Sequence, residues 1–127
     1  MNVNKLSSRI IGAAIEVHKA LGPGLLESAY EECICRELSL RGISLERQKP
    51  LAVQYKGIDL DCGYRLDVVV ENAIILELKS CDKIEPIHKA QLLTYLRLSG
   101  LKLGLLLNFN VPLMRDGIVR IVNGLEV

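Results

Sequence analysis

Two neighbouring aliphatic segments carry acidic residues where apolar side chains are expected. Asp67 lies inside the segment Tyr64–Val70, and Glu77 lies inside the segment Ala73–Lys79. Both segments are rich in β-branched and aliphatic residues, which predicts buried strands. Burying a carboxylate in such a strand is costly unless another group pairs with it. The two acids therefore indicate a site at which something compensates their charge.

A hairpin between the segments would bring the two acids together. If the three residues after Val70 form the loop, Val70 pairs with Ile74. In that register Asp67 lies directly opposite Glu77, with Cβ atoms about 4.5–5.5 Å apart. Carboxylates this close repel each other unless a cation lies between them. Because Lys79 lies two residues beyond Glu77, it shares the same strand face. The constellation predicts a Mg²⁺ site.

The chemistry that fits this constellation is metal-dependent phosphodiester hydrolysis. Carboxylates would hold Mg²⁺, and the ion would activate water and stabilise charge on the phosphate. Lys79 could orient that water or stabilise the developing negative charge. The alternative is an exposed charge ladder, with Glu77 and Lys79 on a half-solvated sheet. The spacing alone does not decide between them, but the aliphatic flanks argue against an exposed strand.

Polar residues on two predicted helices extend the candidate site. Glu27 and Tyr30 are three residues apart and share a helix face. Glu27 is either a third acid aimed at the sheet or a residue that favours the positive end of the helix dipole. Tyr30 is either a core residue or part of the site. On a later helix one face carries His88, Gln91 and Tyr95.

The roles of these later polar residues are open at this point. Gln91 could hold a metal-bound water or a phosphate, or it could be a solvated residue or a core hydrogen-bonding group. His88 suits a structural or a substrate-contact role. Candidate phosphate contacts are scattered along the chain rather than clustered: Arg47, Lys49, Lys56, Arg65, Lys83 and Lys89.

The elements that must position these residues follow the order α-α-β-β-β-β-α-β-β. Apolar spacing predicts a first helix that ends at Gly22. The further helices are predicted over 25–41 and 86–99, and the strands over 44–55 (interrupted near Pro50), 58–62, 64–70, 73–79, 103–109 and 117–122. The strand after the last helix indicates a β-α-β crossover. The fold class is therefore α/β, a three-layer-like sandwich with a mixed central β-sheet flanked by helices.

Length and composition bound the remaining possibilities. A chain of 127 residues predicts a single domain, 1–127, and half of its residues are hydrophobic. The net charge of +1 gives no global attraction to nucleic acid. No segment reaches the roughly 20 apolar residues that cross a bilayer, so no membrane association is expected. The absence of a signal-peptide pattern, with four cysteines in no metal-binding spacing, indicates a cytoplasmic protein.

Taken in order, these motifs resemble the PD-(D/E)XK nuclease superfamily. More closely, the chain is similar to the small GxxExxY proteins, a group assigned to that superfamily. The similar segments cover nearly the whole chain and comprise Gly24–Tyr30, Asp67, Glu77–Lys79, the helix segment 88–96 and the strand segment 104–109. The proline of the superfamily's name is absent, since Leu66 precedes Asp67.

The resemblance implies a restriction-endonuclease-like core and a catalytic set. Asp67 and Glu77 would be metal ligands for Mg²⁺ or Mn²⁺, with Glu27 as the helix acid and a further ligand. Lys79 would be the catalytic lysine and Gln91 an accessory polar group. The resemblance does not supply the physiological substrate, but the intact set of Glu27, Asp67, Glu77 and Lys79 favours hydrolysis of nucleic acid, DNA more than RNA. The candidates for substrate contact are Tyr30, Arg65, His88 and Tyr95.

Two other functions fit the sequence. The near-neutral charge and few aromatic residues favour a catalytically silent module that binds nucleic acid or protein on a nuclease fold. The apolar fraction favours an assembly subunit, with the strand 103–107 feeding a homodimer interface.

Overall fold

The structure is a computed structural model that describes residues 2–125. The described chain forms three layers, with helices on both sides of a sheet. In chain order the elements are α1 (Val3–Leu21), α2 (Glu27–Leu40), β1 (Leu45–Pro50), β2 (Val53–Tyr55), β3 (Ile58–Leu60), β4 (Arg65–Val70), β5 (Ile74–Lys79), α3 (Pro86–Ser99), β6 (Leu103–Asn108) and β7 (Ile118–Val122), with a 3₁₀ turn (Met114–Gly117) before β7.

The central sheet is mixed, as the sequence predicts. Its five strands are ordered β1-β4-β5-β6-β7. The pair β5–β6 is parallel, with α3 as its crossover, and the other neighbours are antiparallel. The strand predicted over 44–55 is two strands, because the ladder to β4 ends at Pro50 and a separate two-stranded hairpin of β2 and β3 follows. Proline lacks the N–H group that a continued ladder needs.

The β4–β5 hairpin has the predicted register. Val70 pairs with Ile74, and Val68 pairs with Leu76. Glu71 and Asn72 have φ angles of 52° and 51°, which give the turn the left-handed conformation that matches strand twist. The Ala73 N–H donates to the Val70 carbonyl at 2.9 Å and closes the turn. One further step along this register brings Asp67 beside Glu77.

The helices cover the two sheet faces unequally. Helices α1 and α2 pack over the larger cluster, which includes Val68, Val70, Ile74, Leu76 and Leu78. Helix α3 covers the smaller cluster, whose buried members are Leu66, Val69, Ile75, Leu92, Leu96 and Leu106. Burying each aliphatic side chain contributes roughly 1.5–3 kcal/mol. Helix α3 lies close to the sheet, since a Cβ added at Gly104 would come within 2.8 Å of the Leu92 side chain.

The strand β6 corrects one expectation. All six of its residues, Leu103–Asn108, are buried, and it lies between β5 and β7. Because both of its edges and both of its faces are covered, the segment 103–107 cannot feed a homodimer interface. Among residues 2–125 no helix is both long enough and apolar enough to cross a membrane.

Candidate active site

The two strand acids meet at the open end of the β4–β5 hairpin. The regular pairing of the two strands runs as far as Val68 and Leu76. Beyond that pair, a side chain replaces a backbone carbonyl as the hydrogen-bond acceptor. The Oδ2 atom of Asp67 accepts a hydrogen bond from the Leu78 N–H at 2.9 Å. Glu77 is only 8% exposed. The hairpin therefore holds two carboxyl groups side by side within an otherwise aliphatic layer.

The hydrogen-bonding capacity of the Glu77 carboxyl group is only partly satisfied. Its Oε1 atom is buried and finds no hydrogen-bond partner within residues 2–125. Burial, and then the adjacent Asp67 carboxyl group, raise the pKa of Glu77 to about 9, although the positive charge of Lys79 partly opposes this rise. Two carboxyl groups with a free, buried oxygen are a suitable donor set for a hard divalent cation. The residues present therefore fit a metal of the Mg²⁺ type.

Lys79 completes the predicted group. Strand alternation places Lys79 on the same face of β5 as Glu77, and its side chain is half-buried. Its charge acts on both neighbours, because it lowers the pKa of Glu77 and opposes the raised pKa of Cys81. Lys79 and Glu77 therefore lie on one face of β5.

Glu27 lines the same cavity as Asp67. It is the first residue of α2 and is exposed. The cavity has a volume of about 280 Å³, and its lining comprises Glu27, Ser28, Glu31, Gln48, Asp67 and Leu78. Since one water occupies roughly 30 Å³ in the liquid, there is room for a hydrated ion or a phosphate. Within residues 2–125, however, no three acids converge as a ready metal cluster, so Glu27 is near the pair without joining it.

Two residues not predicted from the sequence fix the segment after β5. The Ser80 hydroxyl donates to the Leu25 carbonyl at 2.5 Å, which ties the end of β5 to the start of α2. Asn108, buried at the end of β6, donates to the Cys81 carbonyl at 3.0 Å and accepts from the Cys81 N–H at 3.2 Å. The available signal for Asn108 was a polar residue directly after an unbroken aliphatic strand.

A third unpredicted residue interrupts the β1–β4 ladder at Asp67. Gln48 has a φ angle of 49°, and the paired residues of β1 and β4 on either side of it skip both Gln48 and Asp67. The Gln48 side chain donates to Glu31 at 2.7 Å and so remains at the cavity wall. The sequence carries no clear sign of this distortion within β1. The backbone of Asp67 is therefore left out of the regular β1–β4 pairing.

Helix α3 carries two further candidates, and the start of β4 carries a third. Tyr95 is half-buried and packs against the cluster that contains Ile75, on the face of β5 that also carries Glu77. Burial, and then Glu77, Tyr64 and Asp67, raise the pKa of the Tyr95 phenol. Gln91, one turn earlier on α3, is exposed. Arg65 is exposed at the start of β4 and donates to the Gln48 carbonyl at 3.2 Å. These three residues stay candidates for accessory and substrate-contact roles.

Two predicted contacts have structural roles instead. Tyr30 is fully buried, and its hydroxyl donates to the Gly22 carbonyl at 2.6 Å and accepts from the Leu25 N–H at 3.1 Å. Because no part of Tyr30 is accessible, its assignment as a substrate contact was wrong; it shapes the loop that leads into α2. Of the two roles left open for His88, the structure shows the structural one, since its Nδ1 accepts from the Glu85 N–H at 2.9 Å in a capping box that starts α3.

Comparison with known proteins gives one match. A family model described as the PD-(D/E)XK nuclease superfamily matches residues 4–121, a range that includes every site residue described above. No curated protein and no solved structure matches the chain. Nucleases of this superfamily generally use divalent metals, which agrees with the donor set at Asp67 and Glu77. Because the match spans nearly the whole chain, the protein belongs to the PD-(D/E)XK nuclease superfamily.

Proposed function

We propose that the protein is a Mg²⁺- or Mn²⁺-dependent nuclease that hydrolyses phosphodiester bonds in DNA in preference to RNA. The observation that carries the proposal is the partnerless, buried Oε1 atom of Glu77 beside the Asp67 carboxyl group. A protein that needed only stability would gain from an apolar residue at this position. Membership of the superfamily supports nucleic acid as the substrate class.

Each acid has a distinct place in this proposal. Asp67 and Glu77 would hold the ion, and Asp67 is itself oriented by the Leu78 N–H. When bound, a divalent ion supplies a more acidic water and neutralises charge on the phosphate. Glu27, which lines the same cavity as Asp67, would hold a second ion or orient a water molecule.

Lys79 would act directly on the phosphate. Its ammonium is a compact cation on the same strand face as Glu77, and it would stabilise the negative charge that develops on the phosphate oxygens. Arg65 and Gln91 are exposed, and they would contact the neighbouring nucleic-acid backbone or a water molecule.

Cleavage of labelled oligonucleotides tests the proposal. The parent chain should cut DNA in Mg²⁺ or Mn²⁺, cut the matching RNA more slowly, and stop in EDTA. Glu77→Gln removes the charge but keeps the side chain's shape, so it should abolish cleavage. Glu46→Gln is the matched control, because Glu46 is an exposed carboxylate on the edge strand β1, and it should leave the rate unchanged. Equal cleavage by Glu77→Gln and the parent would show that the acid pair is not the catalytic site.

A second candidate is a silent binding module on the same fold. The raised pKa of Glu77 favours it, since one proton shared by the acid pair would compensate the charge without a metal. Salt-titrated binding separates the two candidates when combined with the cleavage assay. A module without catalysis would bind nucleic acid, with affinity that falls as salt rises, and would show no metal-dependent cleavage.

A further inference from the structure

Two tyrosine rings lie together on the α3 side of the acid pair. Tyr64 directly precedes β4, three residues before Asp67, and Tyr95 lies on α3. Their ring centroids are 6.5 Å apart, with an angle of 57° between the ring planes. Tilted pairs at this distance are a favourable aromatic arrangement, so each ring helps to fix the other.

A second aromatic pair in the molecule shows what is unusual about the first. Tyr30 and Phe109 are both fully buried and are stacked at 4.4 Å with only 9° between their planes. Each of those rings covers a face of the other. Tyr64 and Tyr95 are tilted instead, and Tyr64 is 48% exposed. This pair therefore leaves aromatic surface open to solvent, which a core pair does not do.

The open aromatic surface is beside the acids. Tyr95 packs against the smaller core cluster, which includes Ile75 of β5. Strand alternation places Glu77 on the same face of β5 as Ile75, two residues further along. The Tyr64 ring, which meets the Tyr95 ring, lies three residues before Asp67 in the chain. A nucleotide with its phosphate at the acid pair would find the two rings next to it.

We propose that Tyr64 and Tyr95 form a stacking platform for an unpaired base next to the cleaved phosphodiester, so that the substrate is single-stranded DNA or a single-stranded segment of it. This inference rests on the proposed nuclease function and names its substrate class. In a continuous duplex both faces of each base are already stacked, so an aromatic side chain accepts a base only after it leaves the stack.

The charge of the chain points in the same direction. With a net charge of +1, electrostatic attraction to phosphates gives little affinity. Stacking on aromatic rings tolerates any base sequence and supplies affinity without a large basic surface. A duplex offers such rings no free base face, whereas a single strand does.

Binding of a fluorescent oligonucleotide tests the platform separately from cleavage. The probe carries 2-aminopurine, whose emission falls on stacking, and is used single-stranded and in a perfect duplex. Glu77→Gln is the background, so that the probe is not cut. We expect single-strand binding with quenching, weaker duplex binding, and a loss of both affinity (roughly 5- to 150-fold) and quenching in Tyr64→Leu.

Conservative and matched variants make the readout specific. Tyr64→Phe and Tyr95→Phe keep the rings and should retain the quenching. Tyr55→Leu removes a 61% exposed tyrosine from the β2–β3 hairpin and should change affinity less than about twofold. Thermal unfolding of each variant shows whether the fold is intact.

Three results would overturn the platform: unchanged quenching in both Tyr64→Leu and Tyr95→Leu, duplex binding as tight as single-strand binding, or no single-strand binding by the background protein. Metal-dependent cleavage by the parent chain is measured in parallel. If the parent cuts DNA but Tyr64→Leu and Tyr95→Leu show the same quenching and affinity as the background protein, the stacking inference fails and the nuclease proposal stands. If Tyr64→Leu and Tyr95→Leu lose the quenching but the parent cuts no DNA, the two rings bind a base and the nuclease proposal fails.

Discussion

The two ends of the β4–β5 hairpin are both buried, but they differ in chemistry. At the turn end, Val70 pairs with Ile74 in a regular ladder of aliphatic residues. At the open end, the ladder gives way to Asp67 and Glu77, and one carboxylate oxygen has no partner within residues 2–125. The same two strands thus pass from an apolar core to a charged site within three residues.

The difference shows how the fold tolerates an unfavourable site. Aliphatic burial and the closed turn fix the hairpin register, and that register forces the two acids together. A buried carboxyl group with an oxygen that lacks a partner carries an energetic penalty, and natural proteins accept such penalties mainly at functional sites. The turn end should therefore determine stability, and the open end should determine activity.

The largest expected effect is at the turn end. Ile74→Ala removes a fully buried side chain of the cluster that packs against α1 and α2, so the free energy of unfolding should fall by about 2–5 kcal/mol. Denaturant unfolding measures the loss. Cleavage per folded molecule should stay near that of the parent. A selective loss of activity in a stable variant would mean that the two ends are not separable.

The next effect is at the open end. Lys79→Met keeps the length and the apolar stem of the side chain but removes the cation, so the cleavage rate should fall roughly 100- to 1000-fold. Lys102→Met is the matched control. Lys102 is exposed and lies beside the turn end, because the next residue, Leu103, pairs with Ile74. The control should cut at the parent rate. A similar loss in both variants would point to general charge attraction rather than a local role for Lys79.

A smaller effect concerns pH. The folded-state pKa of Glu77 is raised to about 9 from an ordinary value of 4.5, so the folded chain binds this proton more tightly than the unfolded chain. In EDTA, the parent should therefore lose stability as pH rises from about 4.5 towards 9. Glu77→Gln should lack this loss and be roughly 1–3 kcal/mol more stable than the parent at pH 8, with no difference at pH 4.

Urea unfolding at several pH values measures this difference. Mg²⁺ should reduce the difference in stability between Glu77→Gln and the parent, because it stabilises the parent alone. Glu46→Gln is again the control. Parallel stability profiles for the parent and Glu77→Gln would contradict the raised pKa.

The smallest effect concerns the segment after β5. Asn108→Ala leaves the N–H and carbonyl groups of Cys81 without their partners, so the free energy of unfolding should fall by about 1–3 kcal/mol. Protection of the Cys81 amide against hydrogen exchange should fall as well. An unchanged exchange rate would show that Asn108 does not hold this segment.

Local sequence rules predicted the hairpin and its acids well. The loop length set the register, and the register set the position of Asp67 relative to Glu77. Apart from the division of the segment 44–55 into β1 and β2, the element order and the crossover through α3 also followed from periodicity and from the positions of glycine and proline. These features depend on residues close together in the chain.

The predictions that failed depend on distant contacts. Tyr30 is a core residue because its hydroxyl meets backbone atoms of the loop after α1, and helical spacing does not reveal that loop's shape. The strand β6 is interior because β7 pairs with it. A run of aliphatic residues does not show whether its strand lies at the edge or in the middle of a sheet. The contact between Ser80 and Leu25 joins residues 55 positions apart.

Calorimetric titration of Mg²⁺ and Mn²⁺ tests the central claim most directly. The parent chain is compared with the double variant Asp67→Ala, Glu77→Ala, after circular dichroism has shown that the variant is folded. If the open end of the β4–β5 hairpin is a metal site, the parent binds the ions and the double variant does not. The same binding heats in both proteins, or none in the parent, would contradict it.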